Sequence, residues 1–144
     1  MRSTYRVLAG LIALGVVLQA AFIALAWFTV INEVDGGFIL DENYDGNAGH
    51  ALHGIVGTAV IPALALVLLI LSFFAKIQGG IKWAAIVFGL VALQFALAIV
   101  SFEAPVIGLL HGINAFVLAG AAGRAAALTR DPAGQPPTRT TAPA

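Results

Sequence analysis

The chain has 144 residues, of which 60% are hydrophobic and 10% are charged, and its formal net charge is zero. Soluble domains carry about 25% charged residues, so this composition excludes an ordinary soluble surface and indicates an integral membrane protein in a lipid bilayer. The neutral charge balance argues against a nucleic-acid partner, and the absence of cysteine excludes disulfides, thiolate metal sites and c-type haem attachment.

Four apolar segments, each long enough to cross a bilayer as a helix, follow one another along the chain. The first is longer than the 7–15 apolar residues of a typical signal peptide, so we expect a retained helix. Asn47 is the expected N-cap of the second helix, and Pro62 should kink that helix. The expected helices span about residues 7–31, 49–75, 81–101 and 105–128, and residues 129–144, rich in Pro, Thr and Ala, are an expected disordered cytoplasmic tail.

The charged residues predict an orientation. The seven basic residues fall at the two ends of the chain and in the connection between the second and third helices: Arg2, Arg6, Lys76, Lys82, Arg124, Arg130 and Arg139. Six of the seven acidic residues fall in the other two connections. Basic residues favour the cytoplasmic side. We therefore predict an all-α, antiparallel four-helix bundle in the plasma membrane, with both termini cytoplasmic.

Two short patterns occur twice. Leu18-Gln19 in the first helix matches Leu93-Gln94 in the third, and His53-Gly54-Ile55 in the second matches His111-Gly112-Ile113 in the fourth. Each half therefore has a glutamine on its first helix and a histidine early in its second. This pattern predicts two helix hairpins related by a pseudo-twofold axis along the membrane normal.

Two histidines inside the membrane are the main functional candidates, because polar side chains are costly there. His53 and His111 should lie at similar depth on facing helices, which suits ligation of one haem from both sides. Small residues one turn from each histidine would leave room for a flat macrocycle: Gly57 beside His53, and Gly108 and Ala115 beside His111. The same residues could instead serve close helix packing.

The other polar residues near this site leave alternatives open. Gln19 and Gln94 would make interhelical hydrogen bonds or form a polar floor to a cofactor pocket. Asn114, three residues after His111, would orient an imidazole or bond across helices. His50 would be a solvated residue at the interface, a haem propionate contact, the haem ligand in place of His53, or a divalent-metal ligand together with the acidic loop.

These residues resemble a known pattern. His53-Gly54-Ile55-Val56-Gly57, Leu93-Gln94 and Leu110-His111-Gly112-Ile113-Asn114-Ala115 are similar to small uncharacterised bacterial four-helix membrane proteins that look like one half of the haem A synthase superfamily. The resemblance covers about residues 5–125. It implies haem ligation by His53 and His111.

We therefore predict a small membrane protein that binds haem b through His53 and His111 and serves electron transfer, haem handling or haem sensing. A redox or haem-transfer partner and a homo-oligomer are left open, and the chain by itself is not expected to be an enzyme. One alternative is a non-catalytic membrane subunit with structural histidines. The other is a divalent-metal site formed by His50, His53 and the acidic loop.

Overall fold

The computed structural model of the chain describes residues 1–130. All regular secondary structure in that range is helical, and four helices are long and apolar enough to cross a membrane. This confirms the prediction of an all-α, multi-pass membrane protein. The helices are α1 (Arg2–Asp35), α2 (Ala48–Ser72), α3 (Gly80–Glu103) and α4 (Pro105–Ala127).

The helices do not stop where the apolar runs stop. α1 begins at Arg2 and ends at Asp35, several residues beyond the expected apolar span at each end. A helix pairs its own backbone N–H and C=O groups in hydrogen bonds, in water as well as in lipid, so polar flanking residues can continue it. α2 ends at Ser72, and its hydroxyl donates to the Leu69 carbonyl at 2.6 Å. Of the predicted tail, Thr129 and Arg130 end the described chain in a turn, and the rest lies outside the described residues.

α2 is not a uniform α-helix. Its first segment, Ala48–Ile55, leads into a π-helical turn over Val56–Val60, and regular α-helix resumes at Ile61. Pro62 is the second residue after that turn and has no N–H to donate back into it. The disturbance expected from Pro62 therefore takes the form of a π-turn, which places one extra residue between His53 and the rest of the helix.

The four helices form a bundle in which α1 and α3 each lie between α2 and α4. α1 packs extensively against α2 and α4, and α3 packs against the same two helices. α2 and α4 therefore lie diagonally across the bundle from each other. We call the end that carries the 36–47 loop and Ala104 the histidine end, and the opposite end, with Arg2, residues 73–79 and Arg130, the terminal end.

The connected hydrophobic core lies in the half of the bundle next to the terminal end. There Tyr5, fully buried in α1, donates its hydroxyl hydrogen bond to the Gly80 carbonyl at 2.8 Å and ties α1 to the start of α3. In the other half, the first segment of α2 packs mainly against α1. A β-carbon on Gly49 would lie 2.5 Å from the Ala26 nitrogen, so only glycine permits this close approach.

Candidate functional site

Gln19 on α1 and His53 on α2 are joined by two hydrogen bonds, each between the side chain of one residue and the backbone carbonyl of the other. The Gln19 side-chain Nε2 donates to the His53 carbonyl at 3.0 Å. The His53 Nδ1 lies 3.1 Å from the Gln19 carbonyl. Each side chain thus bonds the main chain of the other helix, so the pair joins α1 to α2 with two hydrogen bonds.

Gln94 on α3 and His111 on α4 repeat this arrangement. The Gln94 Nε2 donates to the His111 carbonyl at 3.0 Å, and the His111 Nδ1 lies 3.1 Å from the Gln94 carbonyl. The two pairs involve the same atom types at the same distances. The glutamines and histidines that match in the sequence therefore match in their contacts as well.

These contacts assign a tautomer to both histidines. A backbone carbonyl can only accept a hydrogen bond, so the Nδ1 of His53 and of His111 must carry the proton. In the neutral ring the Nε2 then keeps an unprotonated lone pair. A histidine whose Nδ1–H is held by a backbone carbonyl is the usual form of a metal-ligating histidine. Both side chains are therefore prepared to bind a metal ion through Nε2.

The distance between the two rings suits one metal ion. The ring centroids of His53 and His111 are 6.4 Å apart, and the rings are tilted by 52°. With metal–nitrogen distances of about 2.0–2.1 Å and about 1.1 Å from nitrogen to ring centre, two imidazoles on opposite sides of one metal place their centroids about 6.3 Å apart. Both histidines are half-buried and belong to diagonally opposed helices. The residues present thus fit a metal held between α2 and α4.

Asn114 completes the second pair and has no counterpart in the first. Its Nδ2 donates to the Gln94 Oε1 at 2.6 Å and to the Leu90 carbonyl at 3.0 Å. Of the two expectations for Asn114, the bond across helices is the one observed. The Gln19 Oε1, by contrast, is buried without a hydrogen-bond partner. The two halves of the site therefore differ in how firmly their glutamine is held.

The small residues near the histidines have different surroundings. A β-carbon on Gly57 would lie 2.6 Å from the Gln19 Nε2, so the space that this glycine leaves is taken by the Gln19 amide. A β-carbon on Gly108 would meet only the Ser101 hydroxyl, at 3.9 Å. Ala115 is partly buried and packs against the hydrophobic core. Gly57 thus makes room for the Gln19 amide, and its influence on His53 passes through Gln19.

His50 belongs to a separate cluster at the start of α2. Asn47 is the N-cap, as predicted: its side-chain oxygen accepts from the Gly49 and His50 backbone N–H groups, and its own backbone N–H donates to the His50 Nδ1 at 3.3 Å. The His50 ring also meets Trp27 and Tyr44 edge to face, with centroids 5.7 and 6.0 Å away. Because its Nδ1 accepts a hydrogen bond, His50 has the opposite tautomer from His53 and His111. Its Nε2 carries the proton and is not free to bind a metal.

This geometry does not support the alternative of a divalent-metal site formed by His50, His53 and the acidic loop. Within residues 1–130, no three histidine, aspartate or glutamate side chains come close enough together to hold a metal ion. His50 is engaged in helix capping, where its Nδ1 accepts from the Asn47 backbone N–H. The pair of His53 and His111 is the arrangement that the structure brings together.

Sequence reasoning did not foresee two features of the site. The interhelical hydrogen bonds expected of Gln19 and Gln94 are present, but the sequence did not show that each would reach the backbone of a histidine. The signal was the joint repetition of one glutamine and one histidine in each half. The aromatic neighbours of His50 were also missed, because residues far apart in sequence supply them.

Comparison with known proteins gives one similarity. A model of a family of unknown function (DUF6220) matches residues 44–103, from the end of the 36–47 loop to the last residue of α3. This stretch is similar to that family and contains His53 and Gln94, but not Gln19 or His111. No curated protein and no solved structure matches the chain. The resemblance to half of the haem A synthase superfamily stays a prediction.

Proposed function

We propose that this protein holds one haem b between α2 and α4, and that His53 and His111 would be the residues that ligate it. The observation that carries the proposal is the pair of half-buried imidazoles. Their ring centroids are 6.4 Å apart, and the Nδ1 of each bonds the backbone carbonyl of a glutamine. That combination leaves two unprotonated Nε2 atoms, on rings whose centroids have the separation that two imidazoles on one metal would have. It favours a six-coordinate centre.

The chain's own residues would position the haem. Gln19 and Gln94 set the orientation of the imidazoles, and the Nδ1–H···O=C bonds make each imidazole a more basic ligand. A haem with two histidine ligands supplies one-electron exchange rather than an open coordination position. Electron transfer, or the handling or sensing of haem, is therefore the proposed role.

The distribution of charge supports an orientation for the proposed site. Among the described residues, the acidic side chains lie toward the histidine end and the basic ones toward the terminal end. With basic residues on the cytoplasmic side of the plasma membrane, the termini are inside and the histidine end is outside. A redox or haem-transfer partner would then meet the protein on its outer side.

Absorption spectroscopy tests the proposal directly. The full chain is produced in a host that makes sufficient haem, purified in mild detergent, and measured oxidised and after reduction by dithionite. We expect a Soret band and sharp reduced α and β bands. His53→Ala and His111→Ala should each abolish the six-coordinate spectrum, and His50→Ala, the matched control, should keep it.

One other function is favoured by a specific observation. The two glutamine–histidine pairs are complete as interhelical ties without any cofactor. A non-catalytic membrane subunit would need them for packing alone. Protein that stays colourless after haem is added would overturn the haem proposal and favour this second function.

A further inference from the structure

The two halves of the histidine site differ at two matched positions. Three and four residues after His53 come Val56 and Gly57, whereas Asn114 and Ala115 follow His111 at the same spacing. The glutamine–histidine bonds themselves are the same in both halves. These neighbours, and the backbone that carries them, are therefore where the two histidines differ.

The side-chain amide of Gln94, beside His111, is held by two hydrogen bonds, whereas that of Gln19, beside His53, is held by one. Gln94 donates to the His111 carbonyl and accepts from Asn114 at 2.6 Å. Gln19 makes only the first of these bonds, and its Oε1 has no partner although the residue is only 9% exposed. A buried acceptor without a donor is unfavourable. The unpartnered oxygen therefore favours movement of the Gln19 amide. The Gln94 amide has both of its polar atoms bonded.

The surroundings of Gln19 differ from those of Gln94 in a glycine and a π-turn on the neighbouring helix. The amide lies in the space left by Gly57, and a β-carbon there would be only 2.6 Å from Nε2. The π-turn at Val56–Val60 replaces regular α-helical bonding directly after His53. Asn47, bonded to the Ala26 carbonyl, holds the start of α2 against α1. Movement would therefore be confined to the His53 side chain, Gln19 and the turn.

We infer that His53 is the exchangeable ligand of the site and that His111 is the permanent one. When the Gln19 amide turns away from the His53 carbonyl, the space beside Gly57 opens, and the His53 imidazole can give way to a small neutral ligand. The inference rests on the proposed haem site and adds a function to it. The site would bind a ligand of diatomic or imidazole size on the His53 side only.

Carbon monoxide binding to the reduced, haem-loaded full chain tests this inference. Val56→Asn supplies the missing donor to the Gln19 Oε1 and should slow carbon monoxide binding about threefold to tenfold, the effect of one hydrogen bond. Asn114→Val, the matched variant, removes that donor from the other half. It should loosen the hold on His111 and lower haem retention, an effect that Val56→Asn should not have.

Replacing each histidine by glycine identifies the side that exchanges. His53→Gly should keep its haem, bind carbon monoxide faster than the natural chain, and recover a six-coordinate spectrum when free imidazole is added. His111→Gly should lose most of its haem. Equal behaviour of the two variants, or a natural chain that binds no carbon monoxide, would overturn the inference while leaving the haem proposal intact.

Hydrogen exchange on the haem-free chain in detergent gives a readout that does not depend on haem. Amides of residues 53–60 should exchange faster than those of residues 111–118, and Val56→Asn should reduce the difference. Equal exchange in the two segments would contradict the inference. Failure of every preparation to bind haem would instead refute the proposed function, so the two failures can be told apart.

Discussion

Gln19 and Gln94 are the residues through which each histidine is oriented. Their backbone carbonyls accept from the imidazoles, and their side chains donate back to the histidine carbonyls. Hydrogen bonds between membrane helices contribute about 0.6 kcal/mol on average and up to about 1.7 kcal/mol each. Their larger effect here is directional, because they leave Nε2 as the free atom of both rings.

Gly57 provides a test of this arrangement at the scale of a single residue. In Gly57→Ala the new methyl group meets the Gln19 Nε2, so the amide must shift and its bond to His53 should be lost. We expect a loss of stability of about 0.6–1.7 kcal/mol. The measurement is unfolding of the purified protein in a denaturing detergent titration.

Gly54→Ala is the matched control for that substitution. Gly54 lies one turn earlier in the same helix, and a β-carbon there would meet no atom within 4 Å. Alanine also has the higher helix propensity, so this variant should be at least as stable as the natural chain. If the two variants were equally stable, the Gln19 amide would not depend on the space at Gly57.

At the scale of elements, α1 and α2 meet much more closely than their apolar composition requires. The contact forms at the histidine end, where the Asn47 side-chain amide donates to the Ala26 carbonyl at 2.9 Å and to the Tyr44 hydroxyl at 3.1 Å. Gly49 brings the two backbones together. This contact sets the position from which α2 presents His53 to the centre of the bundle.

Gly49→Ala should therefore push the two helices apart. The added β-carbon would lie 2.5 Å from the Ala26 nitrogen and 2.7 Å from the Phe22 carbonyl oxygen, and backbone atoms cannot move aside as a side chain can. Overpacking of this kind costs about 1–3 kcal/mol. Gly112→Ala, where a β-carbon meets nothing within 4 Å, should stay within about 0.5 kcal/mol of the natural chain. Equal unfolding midpoints in a detergent titration would count against the close contact.

For the whole molecule, the separation of charge between the two ends predicts the orientation in the membrane. The chain has no cysteine, so single cysteines can be introduced without background. Asn43→Cys lies in the 36–47 loop, and Ser3→Cys lies at the start of α1. In intact cells, a thiol reagent that cannot cross membranes should label the first variant and not the second. Labelling of Ser3→Cys alone would reverse the orientation and place the histidine end in the cytoplasm.

The sequence by itself determined the four membrane-crossing helices, because apolar length and the scarcity of charge are properties of each segment alone. It also identified the repeated Gln–His pattern and the Asn47 cap. The ends of α1 went beyond the apolar run, since backbone bonding within a helix does not depend on lipid.

Only the tertiary structure decided which polar groups pair. The sequence does not show which backbone carbonyls accept from His53 and His111, or that a backbone N–H donates to His50. These partners fix the tautomers of the three rings. The unpartnered Gln19 Oε1 likewise follows from having Val56 where the other half has Asn114. Pairing depends on which helices are neighbours in space, and the apolar pattern of each helix does not specify its neighbours.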